Sequence, residues 1–102
     1  MIRVTVSYPA REGARFDSAY YQNQHAALVR ELLGDHGLQR LEIDEALSDG
    51  AGKSAPVIAA AHMFFEDLAA FQAAMAVGGK ALAADAANYT DVRPTVLISR
   101  VI

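Results

Sequence analysis

The chain predicts an α+β fold of order β-α-β-β-α-β, a four-stranded antiparallel sheet with both helices on one face. Three observations predict it. The segment Ile2 to Tyr8 alternates apolar and polar residues as a half-buried strand does. Two longer segments, after Phe16 and after Glu66, space their apolar residues as helices do. Between them lie two strand-like runs, and a last one follows Pro94.

In the first strand Ile2, Val4, Val6 and Tyr8 share a face, and Arg3, Thr5 and Ser7 take the other. Pro9 ends the strand and keeps Tyr8 extended. A loop from Ala10 to Arg15 carries Gly13 and mixed charge. The first helix is expected from about Asp17 to Leu33, with Asp17 as N-cap. Phe16 and Tyr21 occupy the two positions of a hydrophobic staple. At about 100° per residue, Tyr21, Leu28 and Leu32 share a stripe, Val29 and Leu33 flank it, and His25 falls near its centre. Gly34 stops the helix.

Leu38 to Leu47 alternates weakly, with Leu41, Ile43 and Leu47 on one side and Glu42 and Asp44 on the other. Ser48 to Ser54 is a turn-rich connector. Its Gly-Lys-Ser ending is no phosphate loop, because the glycine spacing is wrong and the segment joins two strands. Pro56 to Phe65 is the third strand, with Ala59, Ala61, Met63 and Phe65 opposite Ile58, Ala60, His62 and Phe64. Glu66 and Asp67 open a short second helix with Leu68, Phe71 and Met75 inward. Gly78-Gly79 is expected to break it, and Lys80 to about Tyr89 to add two more turns. Thr90-Asp91 turn the chain, and Thr95 to Ile102 is the last strand. This order is the ferredoxin-like pattern.

With 102 residues the chain predicts one domain, residues 1–102. Its 53% hydrophobic content excludes disorder. A net charge of −3 with scattered lysines and arginines argues against a nucleic-acid partner. Cysteine is absent, which excludes disulfides, thiolate metal sites and a cysteine nucleophile and fits a reducing, cytoplasmic setting. The first residues read as a strand rather than a leader peptide. No apolar run approaches the roughly 18 residues of a membrane span, so no membrane partner is expected. The uncovered sheet face would carry Arg3, Thr5, Ser7, Glu42 and Asp44, and from the last strand either Val96, Ile98 and Ile102 or Thr95, Leu97, Ser99 and Val101, so it would be mixed. Such a face on a small domain predicts a homodimer.

His25 is the first candidate for chemistry. It is either a general acid or base in a cleft between helix and sheet, or a buried neutral ring hydrogen-bonded for structural reasons. Asp85 shares a predicted face with Leu82, Ala86 and Tyr89. A carboxylate among such neighbours needs a partner; it either orients His25 or pins a nearby loop. Tyr8 and Tyr21 flank the cleft and could donate to a ligand oxygen, or be edge-of-core rings with a wet tip. Phe64, Phe65, Phe71 and Met75 are core or the apolar lining of a pocket. His62 belongs to the sheet surface, to a dimer interface or to the side facing the helices, with the interface preferred, and His36 to the solvated end of the first helix. No cluster has metal-ligand spacing, and no glycine-rich turn has the dinucleotide pattern. Neither a metal nor a cofactor is therefore expected.

The arrangement resembles the EthD-like family of the dimeric α/β-barrel superfamily. The resemblance is carried by Tyr8-Pro9, by Phe16-Asp17 with Tyr20-Tyr21 and His25, and by Ala84 to Asp91 with Tyr89 where a phenylalanine is expected. It implies a ferredoxin-like protomer that dimerises sheet to sheet and a pocket between sheet and helices. It also implies oxidoreductase-like chemistry, with cofactor-free monooxygenases, lactone isomerases and polyketide cyclases among more distant relatives. His25 and Asp85 become the expected catalytic pair, and Tyr8, Tyr21, Phe64 and Tyr89 the expected substrate contacts. The reading is thus a small enzyme, or enzyme accessory, acting on an apolar or aromatic molecule by oxidation or by proton transfer. The alternatives are a non-catalytic small-molecule-binding or stress-response module and a subunit that serves only assembly.

Overall fold

The computed structural model describes all 102 residues. Strand β1 spans Ile2–Pro9, β2 Arg40–Glu45, β3 Val57–Phe65 and β4 Thr95–Arg100. Helix α1 comprises Ser18–Tyr20, a π turn Tyr21–His25, and Ala26–Leu33. Helix α2 is Leu68–Asp85, and a 3₁₀ turn Ala86–Asn88 continues it. The sheet order is β2-β3-β1-β4, with every neighbouring pair antiparallel. This is the expected β-α-β-β-α-β fold. No helix is long and apolar enough to cross a membrane.

Register decides which side chains meet the helices. Val4 lies opposite Met63 on one side and Ile98 on the other, and Tyr8 lies opposite Ala59. Alternation then puts Ile2, Val4, Val6 and Tyr8 on the face toward the helices. Val4, Val29, Leu33, Met63, Phe65, Ala74 and Leu82 form the main core. A second cluster, Tyr8, Tyr21, Ala59, Tyr89 and Val92, closes the other end of the sheet.

Four expectations need correction. Gly78-Gly79 does not break α2, which runs through it. A Cβ on Gly78 would stand 2.8 Å from Leu33 Cδ2 and 3.0 Å from Leu32 Cβ, so this glycine exists for close helix packing. The second strand is shorter than Leu38 to Leu47, and Leu47 lies outside it, 93% exposed. Leu68 stays on the surface while Ala74, Gly78 and Leu82 form the buried side of α2. On α1 the buried set is Tyr21, His25, Ala26, Val29 and Leu33, because the π turn shifts the inward stripe away from Leu28 and Leu32.

The start of α1 matches its sequence. Asp17 Oδ1 accepts the Tyr20 N–H at 3.1 Å, and the Phe16 and Tyr21 rings meet at 5.1 Å. A clasp then joins this start to the end of α2, some 75 residues later. Phe16 and Thr90 form an isolated bridge, Asp17 N–H donates to Tyr89 C=O at 2.7 Å, and Thr90 Oγ1 donates to Arg15 C=O at 2.8 Å. The separation of 75 positions between Arg15 and Thr90 makes this a long-range closure.

Candidate active site

A cavity of about 230 Å³ lies between the sheet and the helices. Val6 and Tyr8 of β1, Ile43 of β2, Met63 of β3 and Val96 of β4 form its floor. Tyr21, His25 and Val29 of α1 and Met75 and Leu82 of α2 enclose it, with Tyr89 and Pro94 from the segment before β4. The wall contains no lysine, arginine, aspartate or glutamate. The polar residues of its lining are His25, Tyr8, Tyr21 and Tyr89, and the Tyr21 hydroxyl is itself enclosed and without a hydrogen-bond partner.

The π turn positions two of them. Ala26 N–H donates to Tyr21 C=O, five residues back, and the widened turn stacks the Tyr21 and His25 rings at 5.8 Å and 14°. Such single π turns recur at functional sites. Tyr20, on the adjoining side of α1, stacks against Tyr89 at 6.1 Å.

Asp85 is the last residue of α2, where the helix dipole disfavours an anion. Its carboxylate is held by three donors. His25 Nδ1 lies 2.8 Å from Oδ2, Tyr20 Oη donates to Oδ1 at 2.7 Å, and Asn88 Nδ2 donates to Oδ1 at 2.9 Å. Burial pushes the carboxyl up, but the hydrogen bonds from Tyr20, His25 and Asn88 outweigh it and hold it below the ordinary range. The Tyr20 hydroxyl is correspondingly raised, chiefly by its bond to Asp85.

The chain of bonds has a direction. An ionised Asp85 only accepts, so His25 Nδ1 carries a proton, and in the uncharged form of the ring Nε2 is the nitrogen free to accept. In that form Tyr89 Oη, 3.3 Å from Nε2, is its donor. Tyr89 then has no proton left for Tyr8, and the 2.5 Å bond between the two hydroxyls takes its proton from Tyr8. Burial raises both phenols above their usual value; for Tyr89 the bond with Tyr8 adds to this, and for Tyr8 the bond with Tyr89 opposes it. They stay protonated at neutral pH. The result is an ordered series Tyr8, Tyr89, His25, Asp85 that starts at the cavity and ends on an anion.

The structure therefore brings together five of the six expected site residues: His25, Asp85, Tyr8, Tyr21 and Tyr89. Phe64 is not among them. It is one position out of step with Met63 and Phe65, so it lies on the opposite sheet face. There the guanidinium of Arg40 covers its ring at 4.0 Å. Two contributors were missed, Tyr20 and Asn88. Asn88 is three residues after Asp85, a spacing that signals a shared face. Tyr20 offers no comparable signal, because only the packing of α1 on α2 brings it to Asp85. His62 sits on the open sheet face, with Nε2 2.7 Å from Asp44 Oδ2 and Nδ1 3.2 Å from Thr5 Oγ1. His36 is exposed at the end of α1.

Comparison with known proteins places this architecture. The EthD domain model matches residues 13–93. An EthD-like protein of Ralstonia eutropha is 35% identical, with a TM-score of 0.90 over 99% of this chain and 91% of that one. An ethyl tert-butyl ether D (EthD) family protein of Bacillus halodurans is 23% identical, with a TM-score of 0.79 over 100% and 99% of the two chains. A hydroxynitrile lyase of Passiflora edulis shares the fold at 14% identity, with a TM-score of 0.72 over 99% of this chain and 93% of that one. Among curated proteins none matches the sequence.

Proposed function

Because the chain belongs to the EthD domain family, we propose that it is an enzyme that moves a proton on a small, apolar molecule held in this cavity. The observation that carries the reading is the directed series from Tyr8 through Tyr89 to His25 and Asp85. His25 is the acid/base, and Asp85 positions it in the required tautomer and balances its charge.

The step balances without change of oxidation state. A ligand C–H or O–H proton passes to Tyr8 Oη as the Tyr8 proton moves to Tyr89 and the Tyr89 proton to His25 Nε2. The ligand keeps the electron pair as an enolate or phenolate. The imidazolium, paired with Asp85, later returns a proton to the same or another ligand atom. The raised phenols suit this role, since they pass protons on as neutral hydroxyls and do not hold the charge. Tautomerisation and cyclisation both begin with this step.

Assembly belongs to the same reading. The sheet face away from the helices carries Leu97, 61% exposed and opposite Thr5, at its β4 edge. Phe64 and His62 lie on the same face, and we place a second copy of the chain there.

The test is deuterium exchange at the α-carbons of 2-tetralone in D₂O, followed by proton NMR. The wild-type protein is expected to accelerate exchange over buffer. His25→Ala is expected to return it to the buffer rate while the thermal melt stays cooperative. Acceleration unchanged in His25→Ala would remove the mechanism, and binding without acceleration would assign the cavity to a non-catalytic binder.

A further inference from the structure

Two residues of the cavity wall are exposed at the surface, Ala83 of α2 and Val96 of β4. Helix α2 packs on α1 and β3, and β4 is an edge strand. The cavity therefore opens between α2 and β4. Met75, Gly79 and Ala83 follow one another at four-residue steps and form a single ridge of α2 along this opening. Gly79 has no reason in the fold. Glycine weakens a helix interior relative to alanine. Gly78 is kept for contact with α1, whereas a Cβ on Gly79 would find Met75 Cε at 3.0 Å, Cβ at 3.5 Å and Sδ at 4.0 Å as its three nearest atoms. The missing side chain leaves a notch, and the half-buried side chain of Met75 lies in it.

Resting on the reading of this cavity as a small-molecule site, we infer that the gap between α2 and β4 is the ligand's entrance, that Met75 seated over Gly79 sets the largest ligand admitted, and that this ligand is an uncharged molecule of two fused rings. Each part follows from a separate observation. The entrance follows from the exposure of Ala83 and Val96, one on each rim. The size limit follows from the notch. Methionine is unbranched and turns about three bonds, so it closes a wall without fixing it. An apolar cavity of about 150 Å³ takes benzene, and 230 Å³ leaves room for a second ring. A wall without any charged side chain excludes carboxylates, phosphates and ammonium ions, whose burial would go unpaired.

The experiment is a thermal-shift titration of the full chain and two variants, Met75→Ala and Gly79→Leu, with ketones of one, two and three rings: cyclohexanone, 2-tetralone and anthrone. Wild type is expected to bind 2-tetralone about tenfold more tightly than anthrone, the scale of overpacking a closed wall. It is expected not to bind 2-naphthoate, a charged molecule of the size of 2-tetralone. Met75→Ala removes the side chain over the notch and is expected to bring anthrone to the affinity of 2-tetralone. Gly79→Leu fills the notch and is expected to weaken 2-tetralone about tenfold relative to cyclohexanone. The entrance has its own test. The chain has no cysteine, so Ala83→Cys offers a single thiol to N-ethylmaleimide. Labelling is expected to weaken 2-tetralone binding to that variant about tenfold, and bound 2-tetralone is expected to slow the labelling.

A size preference unchanged in either wall variant, while that variant melts cooperatively, overturns the size limit. The two variants act in opposite directions, so one decides it if the other fails to fold. Labelling of Ala83→Cys without effect on binding overturns the entrance. Binding of 2-naphthoate as tight as that of 2-tetralone overturns the uncharged class. If the preference follows positions 75 and 79 but no exchange is catalysed, the proton-transfer reading fails and the inference stands. If exchange depends on His25 while the wall variants and the labelling change nothing, the reverse holds. If none of the three ketones binds, both fail.

Discussion

The hydroxyl of Tyr89 stands 3.3 Å from Nε2 of His25, across 64 positions of sequence. Neither residue reaches the other through its own helix alone. His25 is turned inward by the π turn of α1, and Tyr89 is fixed by backbone bonds at both its N–H and its C=O. The site is thus made where the ends of two βα units are tied together.

Replacing Asp85 with Asn tests the direction of the hydrogen-bond series. The amide can donate to His25 Nδ1 and so permits the wrong tautomer. Ketone exchange is expected to fall about 10²-fold or more, as for other carboxylates that orient a catalytic imidazole. Stability should change with pH in a defined sense. The folded carboxyl sits below its ordinary value of about 3.9, so its contribution is present above that pH and is lost as pH falls through the folded value. Urea midpoints measured at pH 7 and pH 3 should therefore differ less in Asp85→Asn than in the wild type. An equal loss in both would show that the three donors do not favour the anion.

Gly78 and Gly79 are neighbours with opposite expected responses. Gly78→Ala drives a Cβ to 2.8 Å from Leu33 Cδ2 and 3.0 Å from Leu32 Cβ, both within a packed helix pair. It is expected to cost about 1–3 kcal/mol, despite the better helix propensity of alanine. Gly79→Ala meets the flexible end of Met75 at 3.0 Å, which can turn aside. It is expected to gain up to about 1 kcal/mol from propensity. Denaturant unfolding of the two variants checks the sign of each.

The dimer surface is tested by Leu97→Lys. A charge within the proposed sheet-to-sheet contact is expected to convert a dimer into a monomer, read by light scattering after size exclusion. The cavity lies on the other face of the sheet, so binding of 2-tetralone should survive in the monomer. A wild-type monomer at micromolar concentration would end the dimer proposal.

Most of the fold is legible in the chain, because strand alternation and the Asp17 cap are local signals. Of the group Leu82, Asp85, Ala86 and Tyr89 read from helical spacing, Leu82, Ala86 and Tyr89 line the cavity together, while Asp85 stands behind His25 outside its wall. The error at Gly78 has a clear origin: a glycine kept for a neighbouring helix looks the same, in sequence, as one kept for a break. The site is legible by type rather than by contact. His25 and Asp85 stand out as polar residues on apolar faces, yet nothing local joins them over 60 positions. The π turn is hidden as well, since Tyr21 to His25 contains no residue that a regular helix would refuse. Tyr20 and Tyr21 are adjacent but serve different groups, and only the altered turn separates them.

That turn has a consequence for what one helix can reach. A π turn holds one residue more than the α-turn it replaces. At about 100° per residue, that extra residue sets the facing of Ser18 to Tyr20 against that of Ala26 to Leu33 differently from a regular helix. One helix can thereby send Tyr20 to Asp85 and Tyr89 while Val29 and Leu33 keep their places in the core.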